Sequence, residues 1–389
     1  MPRAPFAAVC LSLAVLLAPD LTLAPVHSAL DAVLPVSASA DASLGPSVRP
    51  RVAPLAATLS PRDRRTVDPA AYSAALREAL ELSGAYGATF AVARDGVVVW
   101  AGSAGTGPDG RPLPADESMV VGSVTKTFVA AAVLELVAEG RLGLDEPIGG
   151  LLPAFGRVDG KVTVRQLLNH GSGVADIFNE ATRVGLETEP ARAWSAAEVL
   201  ATIDAPWHPA GDGWSYSNTN YLLLGLLVEA VTGRTLADEL GSRFFDPLGL
   251  ESPKLLTAAD PAPLSAAWAT IFWGSGAMSA SAADIALWGD RLYGGSGLLG
   301  DDVRRQMLAF NEDDYGLGAQ RIDLGQVTAV GHTGLLSTYT TLMAHLPGSG
   351  VTIALMVNQS KAPLDEMLQA GAKGGGRSLL ELVLATGGD

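Results

Sequence analysis

The chain has 389 residues, with 26 Lys or Arg against 41 Asp or Glu, for a formal net charge of −15. That balance excludes nucleic acid as a partner, because phosphate binding rests on clustered Lys and Arg, and the length is enough to hold a large core. Cys10 is the one cysteine and falls in the first segment, so the rest of the chain has no disulfide, cysteine nucleophile or cysteine-based zinc site.

In chain order, Arg3 gives a short basic start and residues 6–18 an apolar run too short to span a membrane, interrupted by Asp20. Residues 1–28 therefore read as an export signal, with small-residue cleavage sites at Val26-His27-Ser28 and Ala38-Ser39-Ala40 bracketing the mature start between 28 and 40. The expected location is secreted or extracytoplasmic, with no stable membrane span after cleavage. Residues 41–65, rich in Ala, Ser, Pro and Arg without periodicity, read as a disordered linker. The body is expected over 66–389.

Residues 68–82 have the apolar spacing of a helix, and residues 89–100 alternate around Asp95-Gly96 as a β-hairpin does. Residues 123–138 then form a helix apolar on nearly all sides (Phe128, Val129, Val133, Leu134, Leu136), closed by Gly140, and so buried at the centre of the body. It starts with Ser123-Val124-Thr125-Lys126. Residues three apart share a helix face, which puts the Lys126 amine beside the Ser123 hydroxyl. A serine needs a base to act as a nucleophile, and a lysine serves when burial depresses its pKa; the first turn adds the positive end of the helix dipole. The competing reading is a helix N-cap with a solvated lysine. Of five lysines, however, only Lys126 has a serine three positions before it.

From 142 to about 265 the pattern changes to short helices, including 164–169 and 221–231, separated by Gly, Pro and Asn turns: an all-helical subdomain. Within it Tyr216-Ser217-Asn218 falls in a polar loop, 211–220. A tyrosine can shuttle a proton and an asparagine amide can orient lysine and substrate carbonyl together; an Asn-rich turn with a half-buried tyrosine explains the same residues. Strand patterns return at 326–330, 338–344 and 351–357, the last pair turned by Pro347-Gly348-Ser349-Gly350. His332-Thr333-Gly334 opens this region, with His332 and Gly334 on one strand face and Thr333 on the other; Gly334 permits close approach to the serine helix, although a bulge with an ordinary surface histidine fits too. A helical stretch after Pro363 is broken at Gly374-Gly375-Gly376. Strands at both ends with helices between imply one sheet assembled from distant segments, a helical cap, and a cleft between them.

The three motifs together resemble the serine β-lactamase-like hydrolases: class C β-lactamases, D-alanyl-D-alanine carboxypeptidases, and related esterases and D-amino-acid amidases. The resemblance extends through Val164-Arg165-Gln166-Leu167-Leu168-Asn169-His170-Gly171-Ser172-Gly173, Tyr216 to Tyr221, and Gly276-Ala277-Met278-Ser279 ahead of Ala283-Asp284, covering about 70–360. It implies an α+β, β-lactamase/transpeptidase-like fold: an antiparallel sheet flanked by helices with an inserted all-helical subdomain. It makes Ser123 the acylated nucleophile, Lys126 its activator, Tyr216 the general base or proton relay, and Asn218 a ligand for the substrate amide. His332 stands where the more common Lys-Thr-Gly form has its lysine, supporting the electrostatics near Tyr216. Thr333 meets a substrate carboxylate, and the N–H groups of Ser123 and Leu335, beside Gly334, form the oxyanion hole, about 3 kcal/mol per donor. His170 fixes a turn near the cleft. No metal or other cofactor is implied: no His-Glu-x-x-His cluster exists, and the Gly-x-Ser-x-Gly elbow of α/β-hydrolases is absent too.

The resemblance implies a small peptide, β-lactam or ester as substrate, with cell-wall peptides among the candidates. The His-Thr-Gly form resembles the carboxypeptidases and esterases of this group more than class C β-lactamases, and the three motifs with the export signal lead to a D-alanyl-D-alanine carboxypeptidase-like enzyme, with a β-lactamase or esterase as the alternative and a non-turnover penicillin-binding sensor or scaffold as the non-enzymatic one. Two residues bear on the choice. Leu335 lacks a hydroxyl for a terminal carboxylate, and Arg321, the one arginine shortly before His332, holds such a carboxylate only if it faces the cleft.

Overall fold

In the computed structural model, which describes residues 67–295, 298–371 and 376–387, Asp95 and Gly96 make the turn that the alternation around them requires. Both have positive φ, 51° and 77°, the backbone of a two-residue hairpin turn. The turn joins β1 (Gly87–Arg94) to β2 (Val97–Gly105) in register from Gly87↔Gly105 to Arg94↔Val97. The export signal, its cleavage sites and the linker lie outside the described residues.

All but the last residue of β1 are buried, because β1 also pairs with β9 (Val351–Val357), the last strand among the described residues. The six-stranded antiparallel sheet runs β2-β1-β9-β8-β7-β6, with β6 Gln320–Asp323, β7 Thr328–Leu336 and β8 Tyr339–Leu346. A smaller sheet orders β3 (Met119–Val120), β5 (Met278–Ala280) and β4 (Lys254–Leu255). Strand β6 was not expected: four residues with one inward face carry too short an alternation to read. Strand β7 is longer than 326–330, so His332-Thr333-Gly334 sits inside the strand rather than opening it.

Helix α1 (Pro69–Ser83) starts on Asp68, whose carboxylate accepts the N–H groups of Ala70 and Ala71, and ends on left-handed Gly84. It lies on one face of the sheet, where Tyr72 stacks on Trp100 with ring centroids 5.0 Å apart. Helix α2 (Thr125–Ala138) enters through a 3-10 turn, Gly122–Val124, so Ser123 sits in that turn and is not an N-cap. The region after it holds α3 Val164–Leu168, α4 Glu180–Thr188, α5 Ala196–Ala201, α6 Asn218–Thr232, α7 Leu236–Leu240, α8 Asp246–Leu248 and α9 Ala266–Gly276. Helix α10 (Ala282–Tyr293) covers the second face of the sheet, followed by α11 Asp301–Met307, α12 Leu364–Gln369 and α13 Leu379–Thr386. Trp288 of α10 stacks on Phe128 of α2 at 4.0 Å and donates its indole N–H to Thr127 Oγ1, 2.9 Å away, which fixes α2 against the sheet layer. No helix among the described residues is long and apolar enough to cross a membrane.

Two glycines let the serine turn touch β7. A Cβ on Gly334 would lie 2.0 Å from the Val121 carbonyl oxygen and 3.2 Å from the Ser123 nitrogen, and one on Gly122 would lie 2.7 Å from the Leu335 nitrogen. Gly122 also has φ +54°. Because backbone cannot move aside as a side chain can, Gly334→Ala must push β7 off the turn. The expected outcome is a loss of about 1–3 kcal/mol of stability in chemical denaturation, together with slower labelling of Ser123 by an activated ester; unchanged labelling would show that the contact does not position the serine.

Candidate active site

A helix apolar all round has nowhere to send a lysine except inward, and Lys126 is 0% exposed. Its Nζ lies 2.9 Å from Ser123 Oγ, 2.8 Å from Asn218 Oδ1 and 2.6 Å from the Ser275 carbonyl oxygen. Burial pulls the ammonium pKa down from its ordinary value to about 7, while the nearby Asp176 carboxylate acts in the opposite direction. The contact set then decides which way the serine bond runs. Asn218 Oδ1 and Ser275 O only accept, so they take the two hydrogens of the neutral amine, and its lone pair is left to the Ser123 hydroxyl. This is the arrangement in which a lysine accepts a proton from a serine.

Each partner of Lys126 is itself held. Asn218 is the first residue of α6 rather than part of a loop, and its Nδ2 donates to Asp176 Oδ1 and Oδ2 at 3.3 and 3.1 Å. The carboxylate fixes the amide so that its oxygen faces the lysine. Ser275 lies in the last turn of α9, whose carbonyls lack partners further along the helix; the kink at Trp273 redirects the chain there. The rings of Tyr216 and Tyr221 stand 5.0 and 5.6 Å from Nζ and complete the enclosure.

Tyr216 is placed from behind by His170, whose ring centroid is 4.2 Å away. His170 has φ +61°, and its Nδ1 accepts the Ser217 N–H at 3.2 Å and the Asn220 amide at 3.0 Å, so it shapes the Tyr216-Ser217-Asn218 segment as expected of a turn-fixing residue.

The expectation for His332 needs correcting. It is fully buried, and burial together with the Lys126 charge lowers its pKa to about 3, so at neutral pH it brings no positive charge in place of a lysine. Its Nδ1 lies 2.6 Å from the Thr333 carbonyl and must carry the proton; Nε2 therefore accepts from the Tyr315 hydroxyl at 2.9 Å. Its reach toward Tyr216, ring to ring 6.4 Å, is that of a neutral member of an aromatic cluster.

On the same strand Thr333 and Leu335 are half-buried, and Gly334 lies against the serine turn. Arg321 points away: it pairs with Asp314 at 2.7 Å and covers Phe310 at 4.6 Å, both outside this cluster. Gln320, one of the two inward residues of β6, reaches Thr333 instead. The structure thus brings together Ser123, Lys126, Tyr216 and Asn218, with Gly334 and Leu335 against the serine turn. Asp176, Ser275, Tyr315 and Gln320 were not singled out from sequence. Only Asp176, three residues beyond the Gly171-Ser172-Gly173 segment, and Ser275, next to Gly276, lay near segments that had drawn notice. Among the described residues, no group of three or more His, Cys, Asp or Glu is placed to hold a metal ion.

The family model described as Beta-lactamase matches residues 73–374. The chain belongs to the beta-lactamase family. Its sheet and helices accordingly form the β-lactamase/transpeptidase fold, and this family member is a serine hydrolase by kinship. It is similar to penicillin-binding protein 4 of Amycolatopsis lactamdurans, 29% identical over 288 residues, covering 64% of this chain and 74% of that one. A D-aminopeptidase of Brucella anthropi is 35% identical over 177 residues, 44% of this chain but only 33% of the relative. Among solved structures, a D-stereospecific amidohydrolase from Streptomyces sp. superposes with a TM-score of 0.66 at 28% identity, over 78% of this chain and 98% of that one.

Because the amine is the base only when unprotonated, acylation should rise with pH through a midpoint near 7. Asp176→Asn removes the charge that raises the amine pKa, so the midpoint should move to lower pH. Lys126→Met should slow acylation by about 10²–10⁴-fold. Burst kinetics with a nitrophenyl ester across pH 5–9 check both, and a midpoint unmoved in Asp176→Asn would remove that carboxylate from the network.

Proposed function

We propose that this chain hydrolyses small amides and esters through an acyl-enzyme on Ser123, and that its substrates carry no free carboxylate beside the scissile bond. The Ser123–Lys126 contact within a fixed set of acceptors carries the first half of this reading. In it Lys126 takes the serine proton, Tyr216 relays a proton to the leaving group, and Asn218 holds Lys126 and the acyl amide. The N–H groups of Ser123 and Leu335 receive the oxyanion, a role supported by the direct backbone approach that Gly122 and Gly334 allow.

The outward turn of Arg321 carries the second half. With that guanidinium engaged by Asp314, the one cation that the sequence offered for a terminal carboxylate is not at hand, and the neutral His332 adds no positive charge nearby. An amidase or esterase therefore fits this site better than the D-alanyl-D-alanine carboxypeptidase that the three motifs and the export signal suggest. The kinship with a D-aminopeptidase and a D-stereospecific amidohydrolase supports amides of D-amino acids or short D-peptides. With residues 1–28 as an export signal, these substrates would be met outside the cytoplasm, cell-wall fragments among them. The second reading, a carboxypeptidase or slow penicillin-binding protein, is favoured by the similarity to penicillin-binding protein 4.

A substrate panel separates them: a D-amino-acid amide, a nitrophenyl ester, a D-Ala-D-Ala peptide with a free carboxylate, and a chromogenic cephalosporin. The amide and ester should give kcat/KM at least about tenfold above the acid peptide, a difference of about 1.4 kcal/mol, and Ser123→Ala should abolish turnover of all four. Faster cleavage of the acid peptide would restore the carboxypeptidase. A Ser123 adduct persisting in intact mass without turnover would make the protein a sensor or scaffold.

A further inference from the structure

Strand β6 is short, and its first residue, Gln320, stands opposite Gly331, so among the described residues no strand pairs with β7 beyond that point on this edge. Along an antiparallel strand alternate N–H groups leave the same edge, which puts those of Gly331, Thr333 and Leu335 on the β6 side. The Gln320 side chain, itself 6% exposed, fills the first place after the ladder ends. Its Oε1 lies 2.9 Å from the Thr333 nitrogen and 3.1 Å from Thr333 Oγ1.

These two distances determine where the Thr333 proton goes. A backbone N–H only donates, so the Gln320 atom facing it must be the carbonyl oxygen, which settles the orientation of the amide. That oxygen carries no hydrogen. Two oxygens 3.1 Å apart hold together only with a proton between them, and the Thr333 hydroxyl is the one group able to supply it. Both protons of Thr333 are therefore committed to Gln320, and the half-buried hydroxyl turns only lone pairs outward.

We propose that Gln320 sets the class of substrate: it makes Thr333 a hydrogen-bond acceptor, so the site takes a substrate that presents an N–H donor there, a primary carboxamide or an ammonium, and turns away a carboxylate. A carboxylate only accepts and would meet lone pair with lone pair. This inverts the expectation that the Thr333 hydroxyl greets a carboxylate. It rests on the reading of Ser123 as the acylated residue with its substrate lying along β7, and extends it from the want of a cation to a donor requirement built into the strand.

Binding measured without turnover tests it. In the Ser123→Ala protein, calorimetric titration with a D-dipeptide amide and with the same dipeptide as free acid should show the amide bound at least about tenfold more tightly. Adding Gln320→Leu, which releases both Thr333 protons, should raise acid affinity and bring the ratio to one or below. Adding Gln320→Glu, which still accepts both protons, should keep the amide preference, and adding Thr333→Val should remove the preference without improving acid binding. Melting temperatures of all four proteins show which are folded, and Gln320→Glu with Thr333→Val suffices if Gln320→Leu is not. Equal affinities in Ser123→Ala, or a ratio indifferent to Gln320→Leu, overturns the proposal. Because binding is read with Ser123 absent, a wild-type protein that never forms an acyl adduct tells against the acyl-enzyme reading alone.

Discussion

A fully buried amine held among two carbonyl oxygens and a hydroxyl is the constraint around which this molecule is arranged. The charged ammonium is disfavoured there, and the neutral amine has only two hydrogens to give. Those go to Asn218 and Ser275, and what remains is a lone pair facing Ser123. Removing one acceptor would do more than weaken a contact, since it would free a hydrogen to point at the serine and reverse the bond on which nucleophilicity depends. Asp176 matters for this reason: it is the device that keeps the Asn218 amide from turning over.

The same constraint explains why the site is drawn from so many elements. The helix α2 must be central for its lysine to be dry, so the groups that answer the lysine come from α6 and α9, on the helical side, while the groups beside the serine come from β7. Strand β7 is reached only by closing the sheet between β1 and β9, which joins the two ends of the body. At the junction there is room for two backbones and nothing else, which is why glycine stands at 122 and 334. Behind Tyr216 the cluster of His170, Tyr315 and His332 is neutral, in keeping with a site that lowers the charge of its own lysine.

Much of this was legible along the chain, because period and spacing carry it. The hairpin around Asp95-Gly96, the all-apolar helix after Ser123, and the order of three short motifs are local patterns, and local patterns survive being read one residue at a time. Less visible were features made by neighbours in space. Four residues of β6 hold too little alternation to announce a strand, and Asp176 in an unremarkable turn gives no sign that it faces Asn218, 42 positions on. His332 looked like a stand-in for a lysine because residue type suggests charge, whereas burial decides it.

By itself the sequence determined the family and the pairing of the Ser123 hydroxyl with the Lys126 amine three residues away, since a helical turn places i and i+3 on one face whatever surrounds it. Only the tertiary structure decided protonation and orientation, and the proposed substrate class rests on both. Whether Lys126 is neutral, whether Arg321 faces inward and which way the Thr333 hydroxyl points all depend on desolvation and on partners supplied from distant segments. Those are properties of an environment, and a chain acquires its environment only on folding.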